Sequence, residues 1–196
     1  MQPPVPTPPQ LSEENLRELT AARTALRKIN RAISVARFDG WTIGIFAALT
    51  FLLGITELTS IVLGLGLGVI AFVELAGATR LRRLDPQAAR MLGLNQLALA
   101  CMLIIYAVCR IHVELSGHGE FAAAAASDAA LGQALQPYEN LVRQLTMLFY
   151  GGLMAIAVFG QGGMALFYFK RRKHLQAYLD KTPAWIIAMQ KAGVSL

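Results

Sequence analysis

Thirty charged residues stand in this chain, and their uneven spacing decides what it can fold into. Four stretches, Trp41–Thr56, Ile61–Thr79, Met91–Cys109 and Leu145–Phe169, hold 79 of the 196 residues and a single charge, Glu74. Even spreading would put about a dozen charges there. The last three are 19, 19 and 25 residues long. As helices rising ~1.5 Å per residue they cover ~28–37 Å, enough to cross a ~30 Å hydrocarbon core. The first, of 16 residues, can reach across by borrowing Phe38 or Leu58, or where the bilayer thins. A backbone in lipid must satisfy its own hydrogen bonds, so each stretch is expected to be a helix. A barrel would need alternating apolar and polar residues, and none alternate. A soluble bundle would keep a polar face on every helix, whereas Ile61–Val73 holds nothing more polar than glycine. At 55% hydrophobic and 15% charged residues the chain is no disordered polymer. Two cysteines are too few for a disulfide-built module.

The cations set an expected orientation, because Lys and Arg collect on the cytoplasmic side. Sixteen of eighteen lie in residues 1–40, 80–90 and 170–196, leaving Arg110 and Arg143 on the other side. Both termini are thus expected in the cytoplasm. The proline-rich residues 1–10 lack the apolar core of a signal peptide and are expected to stay unfolded. Residues 11–37 read as a basic amphipathic helix. Ser12, Glu13 and Glu14 form its start, and Leu19, Ala22, Leu26, Ile29, Ile33 and Ala36 fall on one face. Its end is expected near Asp39 and Gly40. It would lie on the anionic inner leaflet or pack on the protein itself, with a short coiled coil as a weaker reading. Asp85-Pro86 should restart a helix into the third span. The external segment 110–144 should carry one short helix ended by Pro137. In the tail, Thr182-Pro183 should open an interfacial helix anchored by Trp185. The expected fold is therefore an all-α integral membrane protein. Its core is an antiparallel four-helix transmembrane bundle (38–169), with an N-terminal amphipathic helix and a C-terminal interfacial helix in the 170–196 tail.

Few residues offer chemistry. Glu74 lies six positions inside Arg80, while Asn95 and Gln96 lie five and six positions past Arg90 on the antiparallel neighbour. Depth alone predicts that the three meet. An acid within a span is a functional candidate by default, and a proton-carrying carboxyl is one reading. The structural reading, a hydrogen-bonded tie across the hairpin, is favoured. Gln161, in Gly160-Gln161-Gly162-Gly163, is another deep polar residue, better read as an interhelical bond than as a pore lining. Gly44/Ala48, Gly64/Gly68 and Gly151/Ala155 are small-residue pairs at the spacing that lets helices approach closely. Arg23, Arg27, Lys28, Arg31, Arg80, Arg82, Arg83, Lys170, Arg171, Arg172 and Lys173 are candidates for meeting an anionic lipid surface. Arg110 is expected to reach outward and to pair with Glu114 at helical spacing. His112, Glu114, His118 and Glu120 are a weak metal-ligand candidate, because their spacing is not that of a helical zinc site.

No nucleophile elbow, kinase set, phosphate loop or carboxylate pair appears, and no nucleic-acid motif accompanies the positive charge. An enzyme is therefore the least favoured class, and no cofactor is implied. The leading expectation is a non-enzymatic scaffold or accessory component. Its partners would be the bilayer's anionic inner leaflet and either copies of itself or another membrane protein. A bacterial inner membrane fits the charge asymmetry. The alternative is an ion, proton or small-solute channel or transporter using Glu74, Asn95, Gln96 and Gln161. A lipid-acting or metal-assisted enzyme comes last.

Overall fold

The computed structural model describes residues 12–55, 57–116 and 136–192, with isolated positions 123, 126, 127, 130, 133, 134 and 194 besides. The expected proline-rich tail, most of the expected external helix, His118 and Glu120 lie outside these residues. The described chain is helical: α1 (Glu13–Leu53), α2 (Leu58–Arg82), α3 (Pro86–Leu115), α4 (Glu139–Ile156), α5 (Gly162–Lys181) and α6 (Ala184–Lys191). A 3-10 turn, Gln136–Tyr138, leads into α4, and a π turn, Ala157–Gln161, joins α4 to α5. Four rods, the last being α4 with α5, are long and apolar enough to cross a membrane.

Each rod begins and ends for a local reason. Ser12 Oγ accepts from the Asn15 amide at 3.2 Å, capping α1. At the other end a Cβ on Gly54 would lie 2.0 Å from that of Ser60, so only glycine lets the chain turn so tightly into α2. Asp85 Oδ1 accepts from the Gln87 amide at 2.9 Å, with Pro86 opening α3. In the elbow between α2 and α3, Leu84 takes a left-handed φ of 60°. Leu84 is 6% exposed, and its burial in the core offsets the cost of that conformation.

Two expectations about the ends change. The basic amphipathic helix does not stop at Asp39 and Gly40; it runs without a break into the first apolar span. Glycine within a helix costs only about 1 kcal/mol. Here it is also useful, because a Cβ on Gly40 would come 2.9 Å from the Leu75 side chain of α2. A helix coaxial with the first span cannot lie flat on a membrane which that span crosses. Its apolar face, Ala22, Leu26, Ile29, Ala32 and Ala36, is instead buried against the elbow and the tail. The first span also ends early, at Leu53, so extra length must come from its N-terminal side, where Phe38 is 76% exposed.

The tail helix α6 turns inward rather than outward. Ile186 is fully buried, and the Trp185 indole donates to Glu18 at 3.1 Å, clasping the start of α1. Tyr178 donates to Gln190 Oε1 at 2.9 Å in the same clasp, and burial pushes the pKa of its hydroxyl up. An apolar face too short to cross a membrane finds a better place on the protein than at an interface.

The rods run alternately up and down, and the bundle is unequal along its length. At the basic end α1, the elbow, α5 and α6 enclose one core around Leu81, Leu92, Tyr168 and Leu175. Midway, α1, α2 and α3 share a smaller core of Ile43, Leu67, Ile70 and Leu99. Beyond the π turn α4 packs on α3 and has no buried residue. Outward-facing side chains are large and apolar, among them Leu53 (85% exposed), Phe159 (80%) and Phe72 (72%). Large apolar side chains exposed along helices of this length and hydropathy point to a membrane protein.

Glycine packing tests these contacts. A Cβ at Gly77 would sit 2.5 Å from the buried Leu92, whereas one at Gly68 would meet nothing within 4 Å. Gly77→Ala should lower the thermal midpoint despite better helix propensity, since overpacking costs about 1–3 kcal/mol. Gly68→Ala should hold or raise it, better helix propensity adding up to about 1 kcal/mol of stability. Thermal unfolding in one detergent measures both.

Candidate functional site

The three residues predicted to meet by depth do meet. α2 and α3 are antiparallel through a three-residue elbow, so equal distances from it are equal heights. Asn95 Nδ2 donates to Glu74 Oε2 at 2.6 Å and to the Ile70 carbonyl at 3.0 Å. Glu74 and Gln96 have no exposed surface, and Asn95 is 7% exposed.

Two further residues complete the centre. Gln96 Nε2 donates at 2.5 Å to Oδ2 of Asp39, a residue of α1 that is only partly buried. Tyr168, wholly buried, brings its hydroxyl to Glu74 from α5. Sequence reasoning missed both. Asp39 sits in an Asp-Gly pair that reads as a helix end, and Tyr168 reads as one more apolar residue of a span. The available signal was that Asp39 precedes Trp41 by two residues and so stands at the height of the other boundary residues.

The centre is rich in acceptors. Glu74 Oε1, Gln96 Oε1 and the Tyr168 hydroxyl are sealed from solvent and close no hydrogen bond of ordinary geometry. Among the described residues neither Asp39 nor Glu74 has a cationic partner, although arginines crowd the neighbouring elbow. Two acids, two amides and a phenol from four helices can hold a proton or a cation; they also fix the helices against one another.

The remaining candidates separate. Gln161 lies in the π turn, its Oε1 buried without a partner, and no hydrogen bond links it to the centre. Arg110 reaches across the bundle: its Nε donates to Tyr150 at 3.2 Å, and its guanidinium lies 3.7 Å from Glu57. His112 and Glu114 ride the last turn of α3, and no metal-holding group appears among the described residues. Ten of the eleven basic candidates are exposed; Arg171 instead lays its guanidinium 4.6 Å over the Phe167 ring. Of the small-residue pairs, Gly64 lies against the Phe51 backbone and Gly44 against Ala71. Gly68 and Gly151 face no neighbour, and Ala48 and Ala155 are exposed, so these four do not serve packing within the subunit.

No protein-family model, curated protein or solved structure matches the chain.

The hydrogen bonds of the centre should matter to stability. Asn95→Leu leaves Glu74 Oε2 and the Ile70 carbonyl without their donor. Each orphaned buried group costs about 1–3 kcal/mol, so this variant should unfold at a clearly lower temperature than the parent. Circular dichroism melts in detergent read the difference.

Proposed function

We propose that the chain is a non-enzymatic integral membrane protein that works by associating with other helices in the bilayer, as an oligomeric or accessory component. In this reading the four rods cross a bacterial inner membrane, and both termini, the elbow and the tail clasp stand in the cytoplasm. The observation that carries it is α4, an apolar helix with no buried residue. Its Gly151 faces open space, and Ala155, one turn on, is exposed. Large side chains on neighbouring turns, such as Leu148 and Phe149, are 73% and 66% exposed. A ridge of bulk beside a small-residue notch is how membrane helices seat against one another, since close backbone approach is what binds them in lipid. Inside a single subunit that notch has nothing to seat.

Association is tested by cysteine crosslinking in native membranes, with Cys101 and Cys109 first changed to Ala. Gly151→Cys and Ala155→Cys should each give crosslinked species, and Phe46→Cys on the far side of the bundle should not. Gly151→Leu should weaken association about tenfold, or about 1.4 kcal/mol. Monomer at every position, or equal crosslinking at Phe46, would overturn the reading.

Orientation is tested separately. A membrane-impermeant thiol reagent should reach Lys181→Cys and Arg83→Cys only after the membrane is opened, and Ser116→Cys in intact cells. The opposite pattern would reverse the assignment.

A further inference from the structure

We propose that the centre formed by Asp39, Glu74, Gln96 and Tyr168 binds one small monovalent metal cation of the sodium class, in competition with protons. The inference does not depend on association through α4.

The acceptors and donors do not balance. Asn95 spends its amide on Glu74 and the Ile70 carbonyl, and Gln96 spends one N–H on Asp39. Opposed to them stand two carboxyls and the Gln96 carbonyl, with the Tyr168 hydroxyl as the other donor. Glu74 Oε1, Gln96 Oε1 and Tyr168 Oη are each buried and close no hydrogen bond of ordinary geometry, although Tyr168 and Gln96 both stand beside the Glu74 carboxyl. Buried acceptors without donors are costly, and a cation satisfies several at once.

Charge gives the same answer. The charged and titratable groups that face the centre are Asp39 from α1, Glu74 from α2 and Tyr168 from α5; α3 contributes only the amides of Asn95 and Gln96. No positive side chain answers the two acids among the described residues. One monovalent cation, with one proton shared by the carboxyls, brings the site to neutrality.

The ligand set decides the class of ion. All the donors are hard oxygens, which favour alkali and alkaline-earth cations over transition metals. Calcium needs about six to eight oxygens, and magnesium insists on a near-octahedral shell and keeps its waters. Three buried oxygens plus the Asp39 carboxyl fall short of the first, and a centre closed to solvent at Glu74 and Gln96 leaves no room for the second. Asp39 is only partly buried whereas Glu74 and Gln96 are wholly buried, so an ion would enter past Asp39.

The full chain in nanodiscs is titrated with sodium chloride against choline chloride at constant ionic strength, following the thermal midpoint and, by calorimetry, the heat of binding. Sodium should raise the midpoint saturably, choline and calcium should not, and the apparent affinity should weaken as pH falls from 8 to 6. Glu74→Gln should abolish the sodium response. Tyr168→Phe, which loses one oxygen and no bulk, should weaken it about ten- to a hundredfold. If Glu74→Gln does not fold, Asp39→Asn serves in its place, and its expected result is the same loss. A midpoint indifferent to sodium, a response shared by choline or calcium, or one that survives Glu74→Gln or Asp39→Asn would overturn the proposal.

Discussion

A buried polar group must find its partners within the protein, and around Glu74 this requirement joins the whole bundle. Its carboxyl sits between α1 and α3, with Asn95 holding one oxygen and Tyr168 arriving from α5. Moving α1, α2 or α3 by a fraction of a turn would break a hydrogen bond that water cannot replace, and moving α5 would draw the Tyr168 hydroxyl away from the carboxyl. Apolar packing alone is a weak guide here, because leucine faces leucine almost equally well in many registers. Polar contacts are few and directional. They select one arrangement among the several that the greasy surfaces would tolerate.

Close approach is the other half of that selection. Gly40 stands next to Asp39 and faces Leu75, the neighbour of Glu74. The same turn of α1 therefore supplies a carboxyl and the space that brings α2 near enough to use it. Gly77 receives Leu92 and Gly93 receives the Phe169 ring, both within about one turn of the centre on its elbow side. Small residues thus cluster where the polar residues must meet. The glycines farther along, at Gly151 and Gly162, have no such neighbours. Glycine here has two uses, one inside the subunit and one on its surface, and sequence spacing does not tell them apart.

That ambiguity marks how much could be read beforehand. The spans, the Ser12 and Asp85 caps and the meeting of Glu74 with Asn95 and Gln96 were legible because each depends on spacing along one helix or across one short hairpin. Asp39 and Tyr168 were not, because their place depends on the rotation of α1 and α5 about their axes, which tertiary packing sets. The rotation of α5 in turn depends on the π turn at Ala157–Gln161, whose extra residue shifts every later face by about 100°. The continuity of α1 was hidden for a related reason. Asp-Gly is a good stop signal locally, and only contact with α2 makes it a good place to continue.

The unequal bundle follows from the same accounting of partners. At the basic end the helices leave the greasy region and water competes for every polar group, so burial of Leu26, Ile29, Leu175 and Ile186 is driven by the hydrophobic effect as in a soluble protein. In the proposed bilayer that force vanishes along α4, where lipid is as good a neighbour as leucine. The helix has no reason to close onto α1 and α2, and among the described residues Tyr150 ties it to α3, accepting from Arg110 and meeting the Tyr106 ring edge-on. A rod held firmly at one end and lightly at the other can tilt without disturbing the centre around Glu74, since Tyr168 lies on the fixed side of the π turn. The division between α4 and α5 therefore separates a surface free to meet a neighbour from a clasped core that holds the buried acid in place.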